Sequence, residues 1–508
     1  MPDQSPAGED PVAVIDIGSN SGRVVVYRPE AGGGFRILAG TRAALRLVRE
    51  VDGTHALSAA TIDRTLDALR DFKAIAVGAG ARRSVAVATA ALRDAENAPA
   101  LLARVREELG VEVRIISGEE EAWYGFLGAV HGLPVEHGVL FDLGGGSMQV
   151  SHFQERALRR SVSLPLGSLR LSDAFLGSDP PKAGEVRHLQ AHVREMLERE
   201  RLAPLAPGEA LVGTGGTVRN LAKVDRVSRA YPLTRLHGYL LSRRRVHEIA
   251  TLLAARRLKH RRDIPGLNED RGDSIVGGSL AVQALMDLLQ AREVLVSGEG
   301  VREGLVLGGP HRTLPPPQAV REASVTALTA RFAVWNARAA DRRAALAAAL
   351  QKGLEPGTPA EIQEALRHAA RLLDVGRSVD FFDRHEHVAD MVLATDMAGF
   401  SHRDLGLLSS VLRHAGDEDT PAKRLAPLVT ADDIPAIERA AVVLRVADDI
   451  EERCPPGQTL TLECQRGPHE VTVVVPQLVA WRPRKIGPRF ERAFGRALIV
   501  GSGPRGQS

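Results

Sequence analysis

GVLFDLGGGSMQVSHF, residues 138–153, is an apolar run, a turn of three glycines and a serine, and a second apolar run. β-branched and aromatic residues on both sides of a small-residue turn read as two strands joined by a tight connection. The turn also has a chemical use. Gly144, Gly145, Gly146 and Ser147 carry little bulk, so successive backbone N–H groups can converge on an anion. Asp142, at the strand end, offers a hard oxygen to a cation such as Mg²⁺. The same form occurs earlier in the chain. Asp16-Ile-Gly-Ser-Asn-Ser21 and Asp142-Leu-Gly-Gly-Gly-Ser147 are both Asp-apolar-Gly-x-x-Ser after an apolar run. One such loop is weak evidence. Two in matching context predict duplicated α/β halves facing each other across a cleft, each supplying a phosphate loop.

The surrounding text agrees with an α/β fold. VAVIDIGS and RVVVYR read as strands, as do SVAVATAAL and EVRIIS; between the last two, APALLARVREELG has a helical period and a glycine stop. ALVGTGGTVRNLAKV is strand, turn and helix, so Gly215 and Gly216 either hold a further phosphate at a helix N-terminus or form a plain tight turn. GGPHRTLPPPQ is a linker. Helical patterns follow it, and alternation returns in TLTLEC and EVTVVVP. The expected organisation is a disordered leader over 1–10, α/β halves over 11–130 and 131–310, a helical domain over 320–451, and a small C-terminal domain over 452–508.

Composition excludes several classes. With 66 basic and 63 acidic residues the net charge is +3, which argues against a nucleic-acid partner. No stretch approaches the ~20 apolar residues of a membrane span, and the polar start lacks a secretion signal. Two cysteines, Cys454 and Cys464, without a companion ligand set read as ordinary reduced thiols. A cytoplasmic location is the resulting expectation. Basic clusters at 257–263 and 481–496 are solvated surface taken singly, and together suggest contact with a polyanion.

A second chemical feature is ISGEEEAWYG, residues 116–125, where a helix opens with Glu119, Glu120 and Glu121. Acidic residues suit a helix N-terminus, by ~0.3–1 kcal/mol each. Three in a row exceed what capping needs, and a carboxylate beside bound phosphate can position and deprotonate water.

VIDIGSNSGRVVVY, VATAALRDAENA, IISGEEEA, VLFDLGGGS, LPLGSLRL, LVGTGGTVRNLA, RGDSIVGGSL and VSGEGVREGLV resemble, in the same order, segments of the exopolyphosphatase/guanosine-pentaphosphate phosphohydrolase family. The resemblance spans residues 11–309. It implies two duplicated actin-like (ribonuclease H-like) domains around a cleft, followed by an all-α HD-like domain and a small α+β C-terminal domain. It implies that Glu121 is the general base and also a metal ligand, with Asp142 the metal-associated aspartate. Asn20, Ser21, Arg23, Arg93, Gly144, Gly145, Gly146 and Ser147 would hold phosphate, with Gly215 and Gly216 behind them. The implied cofactor is Mg²⁺, and the implied partner is inorganic polyphosphate or pppGpp in a homodimer.

Two departures stand out. The family's second loop usually ends Ser-Thr-Glu, whereas Met148 and Gln149 stand here. Glutamine brings an amide oxygen but no charge, so weaker metal binding is expected, with phosphate binding retained. In the helical domain, Leu373-Asp374 replaces the His-Asp of HD phosphohydrolases. His368, His385, His387, His402 and His414 then read as surface or core residues, and the domain as structural or regulatory. The expected activity is release of terminal orthophosphate from polyphosphate. The alternatives are a pppGpp 5′-phosphohydrolase and a catalytically weak polyphosphate or alarmone sensor; a sugar or acid kinase fits less well.

Overall fold

The computed structural model describes residues 10–30, 34–308, 313–416 and 422–503. Apart from Asp10, the expected disordered leader lies outside them. The chain divides into two compact units. One comprises the residues up to Ala230 with Arg235–Ala323; the other comprises Tyr231–Thr234 with Ser324 onward.

The first unit holds two sheets built on one plan. In the first, β1 (Val12–Ile17), β2 (Ser21–Pro29) and β3 (Phe35–Ala44) form an antiparallel meander, and β4 (Arg83–Ala88) and β5 (Val113–Ile115) extend it in parallel, giving the order β3-β2-β1-β4-β5. In the second, β6 (Gly138–Leu143), β7 (Met148–Gln154) and β8 (Ala157–Leu164) form the meander, and β9 (Ala210–Thr214), β10 (Tyr239–Ser242) and β11 (Glu293–Val296) complete the order β10-β11-β9-β6-β7-β8. Read from β8, this is the first sheet's order with one antiparallel strand added at the far edge. The duplication signalled by the two loops is therefore present in the backbone.

The central strands explain why the apolar runs are nearly continuous. β1 buries Ala13, Val14, Ile15 and Ile17, and β6 buries Val139, Leu140, Phe141 and Leu143, because both faces of each strand are covered. The helices Ala59–Gly78 and Ala98–Leu109 cover the first sheet through Leu66, Leu69, Phe72, Leu101 and Val105. As predicted, the second of these stops at Gly110, whose N–H closes on the Arg106 carbonyl.

The boundary expected at 130 does not separate the halves. The helix Gly118–His131 packs Phe126, Leu127 and Val130 onto the second sheet's Leu140, Phe153 and Val212. The helix Val301–Leu307 returns to the first sheet, placing Leu305 with Val14, Tyr27 and Val87. The two helices cross at glycines. A Cβ on Gly128 would sit 1.9 Å from the Gly300 carbonyl oxygen, and one on Gly304 would sit 1.9 Å from that of Tyr124. Exposed ion pairs such as Arg170–Asp52 and Arg49–Asp173 also link the halves. Such pairs are worth at most about 1 kcal/mol each, so the crossing is the stronger tie.

The second unit is helical, with a three-stranded sheet, β12 (Glu463–Arg466), β13 (Glu470–Val474) and β14 (Ala497–Gly501). Val471, Val473 and Phe490 from the tail share one core with Leu408, Val443 and Leu444 from the helices. The tail expected as a separate small domain thus lacks a core of its own. Among the described residues, no helix is long and apolar enough to cross a membrane.

Candidate active site

Asp16 and Asp142 are the penultimate residues of β1 and β6, and the turns that follow are closed in the same way. Gly18 N–H donates to the Ser21 carbonyl at 3.2 Å, and Gly144 N–H donates to the Ser147 carbonyl at 2.9 Å. The two turns touch: a Cβ on Gly145 would lie 2.9 Å from Asn20 Cβ. A side chain there would force the loops apart, which is why the second loop is all glycine at its tip. The third turn begins at Gly215, whose φ of +98° excludes other residues and whose Cβ would meet the Leu143 carbonyl oxygen at 2.3 Å. From it starts the helix Gly216–Ser228.

One cleft is lined by all three turns. It receives Asn20, Ser21, Arg23, Glu121, Asp142, Gly144, Gly145, Gly146, Ser147, Gly215 and Gly216, so every predicted site residue but one meets there. The exception is Arg93, which is absent from the lining. Its guanidinium donates to the Ile116 carbonyl at 2.9 Å and pairs with Glu121 Oε2 at 3.3 Å. Arg93, expected to pair with phosphate, thus lies outside the lining and has Glu121 as its carboxylate partner.

The three glutamates divide their roles. Ser117 Oγ accepts from Glu120 N–H at 3.1 Å, and the Glu120 carboxylate accepts from Ser117 N–H at 2.9 Å, a closed capping box. Glu119 is exposed. Glu121 alone faces the cleft. Burial pushes its carboxyl up to about 8, with Arg93 acting against the rise and Asp142 adding to it. Asp142 is raised to about 6 by burial, opposed by Arg219 and reinforced by Asp16. Asp16 is raised by burial against the pull of Arg302 and Arg23.

Four arginines line the cleft with these carboxylates, and sequence reasoning found only one of them. Arg23 stands opposite Asp16 across the β1–β2 ladder. Arg219 is held by the Gly215 carbonyl at 3.0 Å and the Gly298 carbonyl at 2.8 Å. Arg271 packs against Gly216. Arg302 pairs at 3.8 Å with Glu303, whose carboxylate also accepts from Tyr27 Oη at 2.5 Å and Gly300 N–H at 2.7 Å. The cations oppose one another: burial, Arg302, Arg219 and Arg42 push the Arg23 guanidinium down to about 9. Burial and Arg302 likewise lower Arg219. The missed arginines did leave a signal, since Arg219 and Arg302 each follow a glycine turn at the end of a strand.

The oxygen donors fit a hard cation shared with a ligand. Among the described residues no three Asp, Glu, His or Cys side chains gather tightly enough to hold a metal by themselves. Mg²⁺ is commonly bound by one or two carboxylates together with substrate phosphates. Asp142 and Asp16, the second of which helps to raise the carboxyl of the first, suit that arrangement. Elsewhere, part of each basic cluster is structural: Arg261 is bonded to the Leu253 and Gly272 carbonyls, and Arg496 to that of Gly467. Cys454 and Cys464 are free thiols.

The Ppx/GppA phosphatase family matches residues 25–312, and domain III of the same family matches residues 320–465. The chain belongs to the Ppx/GppA phosphatase family. Exopolyphosphatase 1 of Mycobacterium tuberculosis (strain H37Rv) is 30% identical over 300 residues, covering 58% of this chain and 87% of the relative. The counterpart from Mycobacterium leprae is 29% identical over the same length, 58% of this chain and 88% of the relative. The crystal structure of the Aquifex aeolicus member of the Ppx/GppA family is 28% identical, with a TM-score of 0.52, covering 59% of this chain and 96% of that one. An exopolyphosphatase structure from Cytophaga hutchinsonii, 24% identical with a TM-score of 0.54, covers 58% and 96% and shares the fold. Family membership makes this Ppx/GppA chain a hydrolase.

Proposed function

We propose that this Ppx/GppA member is an exopolyphosphatase, releasing orthophosphate from the end of inorganic polyphosphate. The observation carrying this reading is the convergence of Arg23, Arg219, Arg271 and Arg302 with three glycine turns around Glu121. Mutually repelling, buried cations are stabilised by a ligand with several negative charges, and a chain of phosphates supplies them. We read the duplicated halves as actin-like, the helical unit as HD-like, and the protein as a cytoplasmic homodimer.

Phosphoryl transfer needs alignment and charge neutralisation more than covalent help from the protein. Backbone N–H groups of the turns and the arginine forks hold the terminal phosphoryl group. Glu121, unprotonated, orients a water and takes its proton as the water oxygen bonds to phosphorus. The P–O bond to the bridging oxygen breaks, and orthophosphate and the shortened chain leave. Asp142 and Asp16 would hold Mg²⁺, which when bound neutralises charge on the phosphate oxygens.

Phosphate release from polyphosphate and from pppGpp, each with Mg²⁺ and with EDTA, tests this. We expect Mg²⁺-dependent release with the higher kcat/KM on polyphosphate. Release from pppGpp alone would move the assignment to the nucleotide, and binding of polyphosphate without release from either would make the protein a sensor.

The role of Arg93 is separable. Its charge holds the Glu121 carboxyl down, so Arg93→Ala should raise that carboxyl further. The base acts unprotonated, so the acid limb of kcat/KM should move to higher pH, and activity should fall more at pH 6 than at pH 9. A uniform loss at every pH would show that Arg93 serves the substrate instead.

A further inference from the structure

The two halves differ at one pair of equivalent positions. In the first sheet, Asp16 on β1 stands opposite Arg23 on β2. In the second, Asp142 on β6 stands opposite Gln149 on β7, and Gln149 stands opposite Ser163 on β8. Gln149 is 2% exposed and does not line the cleft. Its amide nitrogen donates to Ser147 Oγ at 2.9 Å and to Ser163 Oγ at 3.1 Å. Both amide protons are thereby committed. A hydroxyl that accepts at its oxygen keeps its own proton to donate elsewhere. Ser147 lines the cleft, so a hydroxyl proton turned that way would reach an anion there.

A carboxylate at position 149 would reverse this polarity. It has no proton to give, so Ser147 and Ser163 would have to donate to it, and the Ser147 proton would turn away from the cleft. It would also set a second negative charge across the ladder from Asp142, with Cβ atoms about 5 Å apart, where like charges destabilise a pair. A cation would then be required to offset the added charge. Neutral Gln149 removes that requirement.

We propose that Gln149 is a positioning residue that fixes Ser147 Oγ–H as a phosphate donor, so that the cleft holds a terminal phosphate without a divalent cation. This rests on the reading of the cleft as a polyphosphate site, and it concerns binding, not hydrolysis. Its test is calorimetric titration of tripolyphosphate into the full chain, in EDTA and in millimolar Mg²⁺. The unmodified chain should bind in both. Gln149→Glu should bind at least tenfold more weakly in EDTA and recover to within about threefold in Mg²⁺. Ser147→Ala should also lose about tenfold in EDTA, and its deficit relative to the unmodified chain should persist in Mg²⁺, because no charge has been added for the cation to offset. Should Gln149→Glu fail to fold, Ser147→Ala carries the test alone. Equal affinity of these variants and the unmodified chain in EDTA would overturn the proposal. So would binding by the unmodified chain only with Mg²⁺, which would leave the polyphosphate reading standing. Absence of binding in both buffers would bring down that reading as well.

Discussion

Glu121→Gln should reduce phosphate release from polyphosphate by about 10²–10⁴-fold, the range for a positioned general base, and should leave polyphosphate affinity within about threefold. The split follows from geometry. The glutamine keeps the shape and the hydrogen-bonding oxygen, and the phosphate-holding groups come from other elements: the turns after β1, β6 and β9, and four arginines. What is lost is the ability to take a proton. Burial lifts the native carboxyl to about 8, a value that suits a proton acceptor near neutral pH. A base acts in its unprotonated form, so below that value the active fraction falls about tenfold per pH unit, until a bound cation lowers the carboxyl. The native kcat/KM should therefore rise from pH 6 toward pH 8, and the rise should disappear in Glu121→Gln. Turnover within tenfold of the native rate would remove Glu121 from the mechanism. A matched loss of affinity would make it a binding group.

The duplicated fold was legible because its signal repeats. Asp-apolar-Gly-x-x-Ser after an apolar run requires a central strand, a tight turn and a second strand, and the chain states this twice. The edge strands β3 and β8 were not legible. β3, with Arg36, Gly40, Thr41 and Arg42, is mostly half-exposed, so burial did not impose a hydrophobic period on it. β8 carries Arg159 and Arg160 on its exposed positions for the same reason. In the tail, TLTLEC alternates as a strand should, yet β12 starts only at Glu463. Leu460 and Leu462 pack partly buried against the helical core instead of pairing in the sheet.

The site divides along the same line. Glycine and serine turns have a sequence signature because only small residues tolerate their approach, as at Gly145 beside Asn20. Not every arginine has one: among 66 basic residues, nothing local separates Arg271 in the cleft from one in solvent. Partner choice is equally hidden. Arg93 lies where the resemblance asked for a phosphate ligand, and only tertiary structure shows its guanidinium on Glu121. The EEE run was readable as a helix start, but which carboxylate enters the cleft depends on the capping box that engages Glu120.

Asp374→Ala should destabilise the helical unit by about 3–5 kcal/mol, the usual cost of removing one partner from a buried ion pair. Asp374 lies in the Leu373-Asp374 dipeptide, and its oxygens are already taken: Arg343 at 2.6 Å, Arg384 at 2.8 Å and Arg377 at 2.9 Å. Arg343 and Arg384 also pair with Asp448, closing a buried network of two arginines and two aspartates. Although burial works to raise it, these arginines hold the Asp374 carboxyl below its ordinary value. The native charges are therefore matched, and removing one leaves Arg343, fully buried, in excess. At ~2–4 °C per kcal/mol for a unit of this size, calorimetry should show a transition lowered by roughly 6–20 °C. Asp374→Asn should do less, since it keeps an acceptor. Leu373→His, which rewrites the dipeptide as His-Asp, should give no metal-dependent phosphohydrolase, because arginine forks occupy the aspartate oxygens a metal would need. A melting curve for Asp374→Ala within a degree of the native one would show that the network contributes little. Metal-dependent turnover gained with Leu373→His and retained in Glu121→Gln would show that the arginines yield to a metal.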